Sequence, residues 1–351
     1  MTTAEERPAH VGTDSPAGTP DTGRRLQSLD AVRGLAIVIM LAAGNPFMRE
    51  HLPVQLTHPE WHGLRFADLF FPLFLFVVGV AMTLSKRTGN LRLVLRRAGL
   101  LLLLGVALSS FKHGGFYPTG VLQHIAGAYV IAWVVLRAPS RLQPAVAAGI
   151  FAAVWAAFLV MGGDDPWART GTAAHAIDGF LFGRFSTEGT LQTVLSSITV
   201  IGGAFIGRDV RKILNREELA RRVSAHAVWL IALALLLALV VPINKRLWSP
   251  SFTLLTLGTS CLWFALFIWL IDVRKHHRWA TPLQELGANP IVIYVGFISL
   301  RALVSDLGHL APVLAPLGSK SAGALLYSLA WVAVGWVVAR WMFRRDLFVK
   351  I

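Results

Sequence analysis

Ala67-Asp-Leu-Phe-Phe-Pro-Leu-Phe-Leu-Phe-Val-Val-Gly-Val-Ala-Met-Thr-Leu-Ser85 is an almost entirely apolar stretch. A helix needs about 20 such residues to cross the hydrocarbon core of a bilayer. A membrane-spanning β-strand would be shorter and would alternate apolar with polar residues. The stretch therefore predicts a transmembrane helix.

Similar runs recur along the 351-residue chain, which is 55% hydrophobic and only 15% charged. They predict an all-α fold, a polytopic integral membrane helix bundle of about 10 transmembrane helices. We expect it to form a single domain over residues 26–351, preceded by a disordered, polar cytoplasmic tail at 1–25. The expected spans are 29–47, 67–85, 94–111, 119–137, 143–162, 191–208, 223–241, 251–272, 286–304 and 321–341.

The net charge of +14 is distributed unevenly between the two sets of loops. With the N-terminus inside, 23 of the 33 Lys and Arg residues fall on the inner side, 9 fall outside, and Arg33 lies in the first span. Basic residues concentrate in cytoplasmic loops, so both termini are predicted to be cytoplasmic. Topology and contact with the bilayer then explain the basicity, and no nucleic-acid partner is expected.

Two connecting segments and the cysteine count add to this outline. Residues 209–222 are basic and predict a short amphipathic helix on the inner surface. The outer loop 163–190 is the longest and is acidic. Cys261 is the one cysteine. It can form no intramolecular disulfide, and we expect no metal site.

Polar residues on the outer side are candidates for chemistry. Asp68 follows His58 by ten residues and begins the second span. A carboxylate that orients an imidazole is typical of acyl transfer, whereas a lone loop histidine is more often only solvated. Asn45 ends the first span before Pro46; it either terminates the helix or directs its amide towards a carbonyl oxygen.

A second set of polar residues lies towards the inner side and within the spans. The i,i+3 spacing of Asp30 and Arg33 places them on one helix face. They either form a structural ion pair or let Arg33 receive an anionic substrate. Gln123 and Asn289 lie within the fourth and ninth spans, where they either bond helix to helix or line a polar cavity.

The ordered motifs in the chain resemble those of the heparan-α-glucosaminide N-acetyltransferase family. The resemblance covers nearly the whole chain from Arg25, in a bacterial-type form without the large lumenal N-terminal region. Its motifs are Arg25-Leu-Gln-Ser-Leu-Asp-Ala-Val-Arg-Gly34, His58-x-x-Trp61-x-Gly63-Leu64, Ala67-Asp68-Leu69-x-Phe71-Pro72-x-Phe74-x-Phe76-x-x-Gly79, Gly120-Val-Leu-Gln123, Pro242-Ile-Asn-Lys245-x-Leu-Trp248 and Asn289-Pro290-x-x-x-Tyr294-Val-Gly296.

The resemblance implies an enzyme that moves an acetyl group from cytosolic acetyl-CoA to an amino sugar or related glycan across the membrane. His58 would be the catalytic histidine, as general base or acyl carrier, aided by Asn45 and Asp68. The bacterial plasma membrane would house the enzyme, as a homodimer by analogy with relatives. The residues expected to bind the coenzyme are Arg33, Arg96, Arg97, Gln123 and Asn289.

Departures from the family pattern leave the acceptor open. The position after Gln123 is commonly basic in the family, and here it is His124. Pro59 and Glu60 stand beside His58 where smaller residues are expected. The alternatives are a membrane O-acyltransferase that modifies a sugar hydroxyl, and a transporter of glycans or lipid-linked sugars, which would need no coenzyme.

Overall fold

The computed structural model describes residues 26–43, 51–303 and 320–349, and these residues form α-helices and no β-strand. The predicted all-α fold is therefore confirmed. The helices are α1 Gln27–Ala43, α2 Phe70–Leu84, α3 Leu91–His113, α4 Val121–Val135, α5 Gln143–Met161, α6 Ala173–Phe182, α7 Thr190–Lys212, α8 Arg216–Leu237, α9 Pro250–Phe267, α10 Thr281–Ala288, α11 Pro290–Leu303 and α12 Lys320–Arg344.

Six of the helical stretches are long and apolar enough to cross a bilayer. Where the structure describes them, the other predicted spans are also mostly helical, but their helices are shorter or carry more charged residues. The count of ten spans and the cytoplasmic placement of both termini stay predictions. So does the disordered tail, because residues 1–25 lie outside the described ranges. The six stretches are Phe66–Leu84, Gln143–Met161, Thr190–Lys212, Arg216–Leu237, Pro250–Val273 and Ser321–Arg344.

Helices α2 and α7 form the centre of the bundle, and glycines allow them to touch. A side chain on Gly79 would collide with the carbonyl of Val200, and one on Gly203 would collide with the carbonyl of Phe76. Small residues of this kind let helix backbones approach closely in membranes, where packing drives helix association. Because α2 is fixed in this way, the polar turn at its outer end is fixed as well.

Helices α1 and α10 make a second close contact. Gly34 packs on the carbonyl of Leu283, and Gly287 packs on the carbonyl of Asp30. The ninth predicted span is broken near its start: α10 ends before Asn289, and α11 begins at Pro290. Proline suits the first turn of a helix because the amide hydrogen it lacks would have no partner there.

Two connecting segments differ from expectation. The outer loop 163–190 contains α6, whose apolar residues were too few to suggest a span. The separate amphipathic helix predicted over 209–222 was wrong, because residues up to Lys212 continue α7 and α8 begins at Arg216. Asn215 decides this boundary, since its side chain accepts hydrogen bonds from the amides of Glu217 and Glu218 and so caps α8.

Candidate active site

His58 and Asp68, which the sequence analysis paired, are in direct contact. His58 lies on the loop before α2, and Asp68 lies in the tight helical turn Phe66–Leu69 that leads into that helix. Nδ1 of His58 is 2.6 Å from Oδ1 of Asp68. A carboxylate can only accept at neutral pH, so Nδ1 carries the hydrogen and Nε2 keeps its lone pair. The pair thus has the geometry of a histidine base oriented by an acid.

The carboxylate of Asp68 is fully buried and is supplied with donors by its own loop. Its Oδ2 accepts from the backbone amide of Arg65 at 2.8 Å. The guanidinium of Arg65 in turn donates to the carbonyl of His58 at 3.0 Å. Arg65 therefore fixes both members of the pair, Asp68 through its carboxylate and His58 through its backbone carbonyl.

Lys245 completes a cluster of three charged or titratable groups. Its Nζ is 3.1 Å from Oδ1 of Asp68, and 3.2 and 3.4 Å from Nδ1 and Nε2 of His58. Burial lowers the pKa of the Lys245 ammonium below its ordinary value, while the negative charge of Asp68 acts in the opposite direction. In sequence, Lys245 stood out only as part of the Pro242–Trp248 motif, with nothing to place it beside His58.

The loop that holds Lys245 is joined to the loop that holds His58. The amide of Gly63 donates to the carbonyl of Ile243 at 2.8 Å, where Gly63 adopts a positive φ of 110°. The amide nitrogen of the Asn244 side chain is 3.2 Å from Nδ1 of His62. These contacts join two segments almost two hundred residues apart, and they set the distance between Lys245 and His58.

His58 faces a cavity of about 450 Å³, which we call the outer cavity. The walls carry basic, acidic and aromatic side chains, and helices α2, α3, α4 and α11 contribute to them. Residues that line it include His58, Phe71, Gly105, Lys112, Thr119, Gln123, Glu188, Lys245, Arg246, Trp248 and Tyr294.

A second cavity of about 660 Å³, the inner cavity, opens among arginines. One of these, Arg33, donates to Asp30 at 3.1 Å and to the carbonyl of Gly287 at 3.2 Å, which directs its guanidinium along the cavity wall. The predicted residues Arg33, Arg96 and Arg97 thus converge on one site. Residues that line it include Arg33, Phe74, Val78, Arg87, Arg96, Arg97, Leu100, Ile125, Tyr129, Pro290 and Val349.

The two cavities share walls and approach each other closely. Both are lined by α2, α3, α4 and α11. On α2, Phe71 lines the outer cavity and Phe74 lines the inner one. Three residues of α-helix rise about 4.5 Å, so less than one turn separates the two linings along this helix. A flexible chain bound in the inner cavity could reach His58 by passing this short barrier.

The remaining predicted residues occupy different places. Gln123 lines the outer cavity and not the inner one. Asn289 lines neither; its amide donates to the carbonyl of Leu347 and accepts from the amide of Val349, both at 2.8 Å. Its expected role in binding the coenzyme stays a prediction, and the structure shows it holding the C-terminal backbone. Asn45 lies outside the described residues.

Other features of the site were not anticipated. Arg87 joins the inner cavity, although in sequence it was one basic residue among many in the inner loops. Trp248, seen before only as a motif residue, lines the outer cavity. Among the described residues, no cluster of His, Cys, Asp or Glu could hold a metal ion.

Known proteins resemble the chain over much of its length. Residues 25–178 match the model of a family described as heparan-α-glucosaminide N-acetyltransferase, catalytic. The mouse protein named heparan-α-glucosaminide N-acetyltransferase is 26% identical over 428 aligned positions, which cover 95% of this chain and 62% of that protein. The human protein of the same name is 25% identical over 364 positions, 78% of this chain and 52% of that protein.

These matches confirm the family resemblance that the sequence motifs predicted, and they support an acyltransferase. The chain spans between about half and two thirds of the length of these relatives. The matched segment 25–178 contains His58, Asp68 and three predicted arginines. Lys245 lies beyond it.

Proposed function

We propose that this protein is a transmembrane acetyltransferase that takes an acetyl group from cytosolic acetyl-CoA and delivers it to an amino sugar or related glycan on the other side of the membrane. One observation carries the proposal: a cavity lined by arginines and a cavity lined by His58, whose imidazole is paired with Asp68, share walls from the same four helices and lie within about one helical turn of each other. The bacterial plasma membrane is the proposed location, with both termini cytoplasmic.

The inner cavity suits the nucleotide end of the coenzyme. Phosphates are bound well by guanidinium groups, which offer several donors in a fixed plane. Arg96 and Arg97 follow one another on α3, and Arg33 reaches the same cavity from α1. The coenzyme's arm would then point along α2 towards the outer cavity and bring the thioester to His58.

In the chemical step, the acceptor amine attacks the thioester carbonyl. The new C–N bond forms, the C–S bond breaks, the amine proton passes to Nε2 of His58, and the coenzyme departs as its thiolate. Asp68 holds the imidazole in the tautomer that leaves Nε2 free and stabilises the imidazolium that results. General base catalysis of this type typically contributes about 10²–10⁴-fold.

Lys245 is suited to stabilising the negative charge that develops on the thioester oxygen. Its Nζ is 3.4 Å from Nε2 of His58, so the acceptor amine must displace it from that lone pair. The ammonium would remain bound to Asp68 and turn towards the developing oxyanion, where a preorganised charge is most effective. This role requires Lys245 to be protonated.

The lowered pKa of Lys245 gives a testable pH profile. Because the ammonium is the active form, activity should fall as pH rises through its pKa, and this loss should occur below the ordinary lysine value of 10.5. Lys245→Arg should move the alkaline fall to higher pH, since a guanidinium stays protonated. Initial rates of wild type and Lys245→Arg across the alkaline range test this. The same fall in activity at alkaline pH in both proteins would show that it does not come from Lys245.

Removing one arginine from the inner cavity should weaken coenzyme binding. A hydrogen bond to a charged group contributes about 1.5–3 kcal/mol, so we expect Arg97→Gln to raise KM for acetyl-CoA by roughly tenfold or more. The KM for the acceptor should not change. Arg92→Gln on the same helix is the control, because Arg92 is exposed and does not line the cavity. Equal KM values for Arg97→Gln and Arg92→Gln would show that the coenzyme does not bind in this cavity.

The direct test of the proposal uses the purified protein in lipid vesicles. Labelled acetyl-CoA is supplied on one side, and glucosamine, N-acetylglucosamine or envelope glycans on the other. Label on glucosamine, with none on the N-blocked sugar, supports amine transfer. Label on the N-blocked sugar identifies an O-acyltransferase, since the His–Asp pair can also deprotonate a hydroxyl. Movement of unlabelled glycan without any need for acetyl-CoA would identify a transporter.

A further measurement separates the two routes open to His58. If His58 carries the acetyl group, the enzyme releases one equivalent of free coenzyme before any acceptor is added. If His58 acts only as a base, release of coenzyme requires the acceptor.

A further inference from the structure

His124 is a buried histidine that takes no part in the proposed acetyl transfer. It lies on α4 with 1% of its surface exposed. Within the part of the chain that the structure describes, neither of its ring nitrogens has a hydrogen-bond partner. Its ring contacts the rings of Phe71 and Trp248, with centroids 5.3 and 5.0 Å away.

Two polar atoms beside His124 also lack partners among the described residues. They are Oε1 of Gln123 and Nε1 of Trp248, both on buried side chains. Trp248 in addition has a positive φ of 52°, which a bulky residue adopts only at a cost of about 1–3 kcal/mol. Strain of this kind persists where the surrounding structure needs the side chain in one place.

His124 lies beside the wall of the outer cavity, because its ring contacts those of Phe71 and Trp248. Gln123, Trp248 and Phe71 line the outer cavity, and Ile125 lines the inner one. In the sequence of α4, His124 stands between Gln123 and Ile125. Its ring contacts that of Phe71, so a movement of the Phe71 side chain would open His124 to the outer cavity.

A purely structural role does not explain this cluster. A buried polar atom without a partner costs about 1–3 kcal/mol, and His124, Gln123 and Trp248 carry four such atoms among the described residues. Apolar side chains of the same shape would pack as well without that cost. The groups are complementary to an amide or thioester: an indole N–H donates, a glutamine oxygen accepts, and a neutral imidazole does one of each.

We propose that His124, with Gln123 and Trp248, binds the polar groups of the coenzyme's acyl arm, its amides and thioester carbonyl, as the arm passes between the cavities. This inference rests on the proposed function, since it assigns part of the path of acetyl-CoA. The arm would reach the cluster past Phe71, whose ring contacts those of His124 and Trp248.

The test compares two ligands on one variant. Acetyl-CoA carries the arm, and adenosine 3′,5′-bisphosphate has the phosphates without it. In His124→Phe, which keeps a planar ring in an apolar site, we expect the Kd of acetyl-CoA to rise at least tenfold while that of the bisphosphate is unchanged. Binding is measured by thermal stabilisation of the whole protein in detergent, and kcat/KM for acetyl-CoA should fall with it.

Thr199→Val is the matched control. Thr199 on α7 is also buried with an unpartnered hydroxyl, but it lines neither cavity, so both ligands should bind this variant as they bind wild type. If His124→Phe does not fold, Gln123→Met tests the same cluster, with the same selective loss expected.

The outcomes separate this inference from the function it rests on. Wild-type affinity for both ligands, with wild-type kcat/KM, in His124→Phe or Gln123→Met would overturn the inference, since the cluster would then take no part in binding the arm. An equal loss for both ligands would also overturn it. Failure of the wild-type protein to bind acetyl-CoA at all would instead refute the proposed function.

Discussion

We expect His58→Ala to slow acetyl transfer more than any other single substitution. The variant keeps Asp68 and Lys245 but has no group to take the proton of the acceptor amine, so the rate should fall by about 10²–10⁴-fold. Binding of acetyl-CoA should remain, because its proposed phosphate site lies in the inner cavity. The measurement is initial-rate kinetics on the purified variant, together with thermal stabilisation by acetyl-CoA.

The control for this substitution is His277→Ala. His277 is an exposed loop histidine that lines neither cavity, so its loss should leave the rate unchanged. Turnover of His58→Ala at the wild-type rate would show that His58 is not the base, and the outer cavity would need another candidate. Equal losses in both variants would point to a general effect on the protein.

Asp68→Asn should cost both activity and stability. The amide has nearly the same shape as the carboxylate, but it cannot hold the imidazolium, and we expect a rate at least about 10²-fold lower. It also leaves the ammonium of Lys245 without its counter-charge. Removing one partner of a buried pair costs about 3–5 kcal/mol, and a smaller loss is expected here because the side chain of Lys245 is 23% exposed.

A double variant separates these two losses. Asp68→Asn with Lys245→Met removes both charges, so most of the lost stability should return, while activity should not. Thermal unfolding and initial rates are measured on the single and double variants. Recovery of activity in the double variant would mean that Asp68 serves only to neutralise Lys245.

Much of the fold could be predicted because the lipid imposes one simple requirement. Every backbone polar group within the hydrocarbon must be bonded inside its own segment, so a long apolar run can hardly be anything but a helix. The break at Asn289 and Pro290 was predictable for the same local reason, since proline removes an amide donor. Helix α6 was missed because ten residues carry too weak a pattern to stand out from a loop.

The contact between His58 and Asp68 was predictable because the two residues are close in sequence. His58 and Asp68 belong to one short stretch, and their contact follows from a single loop and turn. Lys245 reaches the same carboxylate from far along the chain through the pairing of Gly63 with Ile243, and no local pattern encodes that meeting. The pairing depends on the packing of the whole bundle.

The side-chain amide of Asn289 forms hydrogen bonds with the backbone of Leu347 and Val349 and not with their side chains. These backbone hydrogen bonds do not depend on which side chains the bonded residues carry. The side chains at positions 347 and 349 can therefore change during evolution without loss of these hydrogen bonds. A fluorescent residue can be introduced at either position for the same reason. Since Val349 lines the inner cavity, a fluorescent label at this position would change its emission when the coenzyme binds.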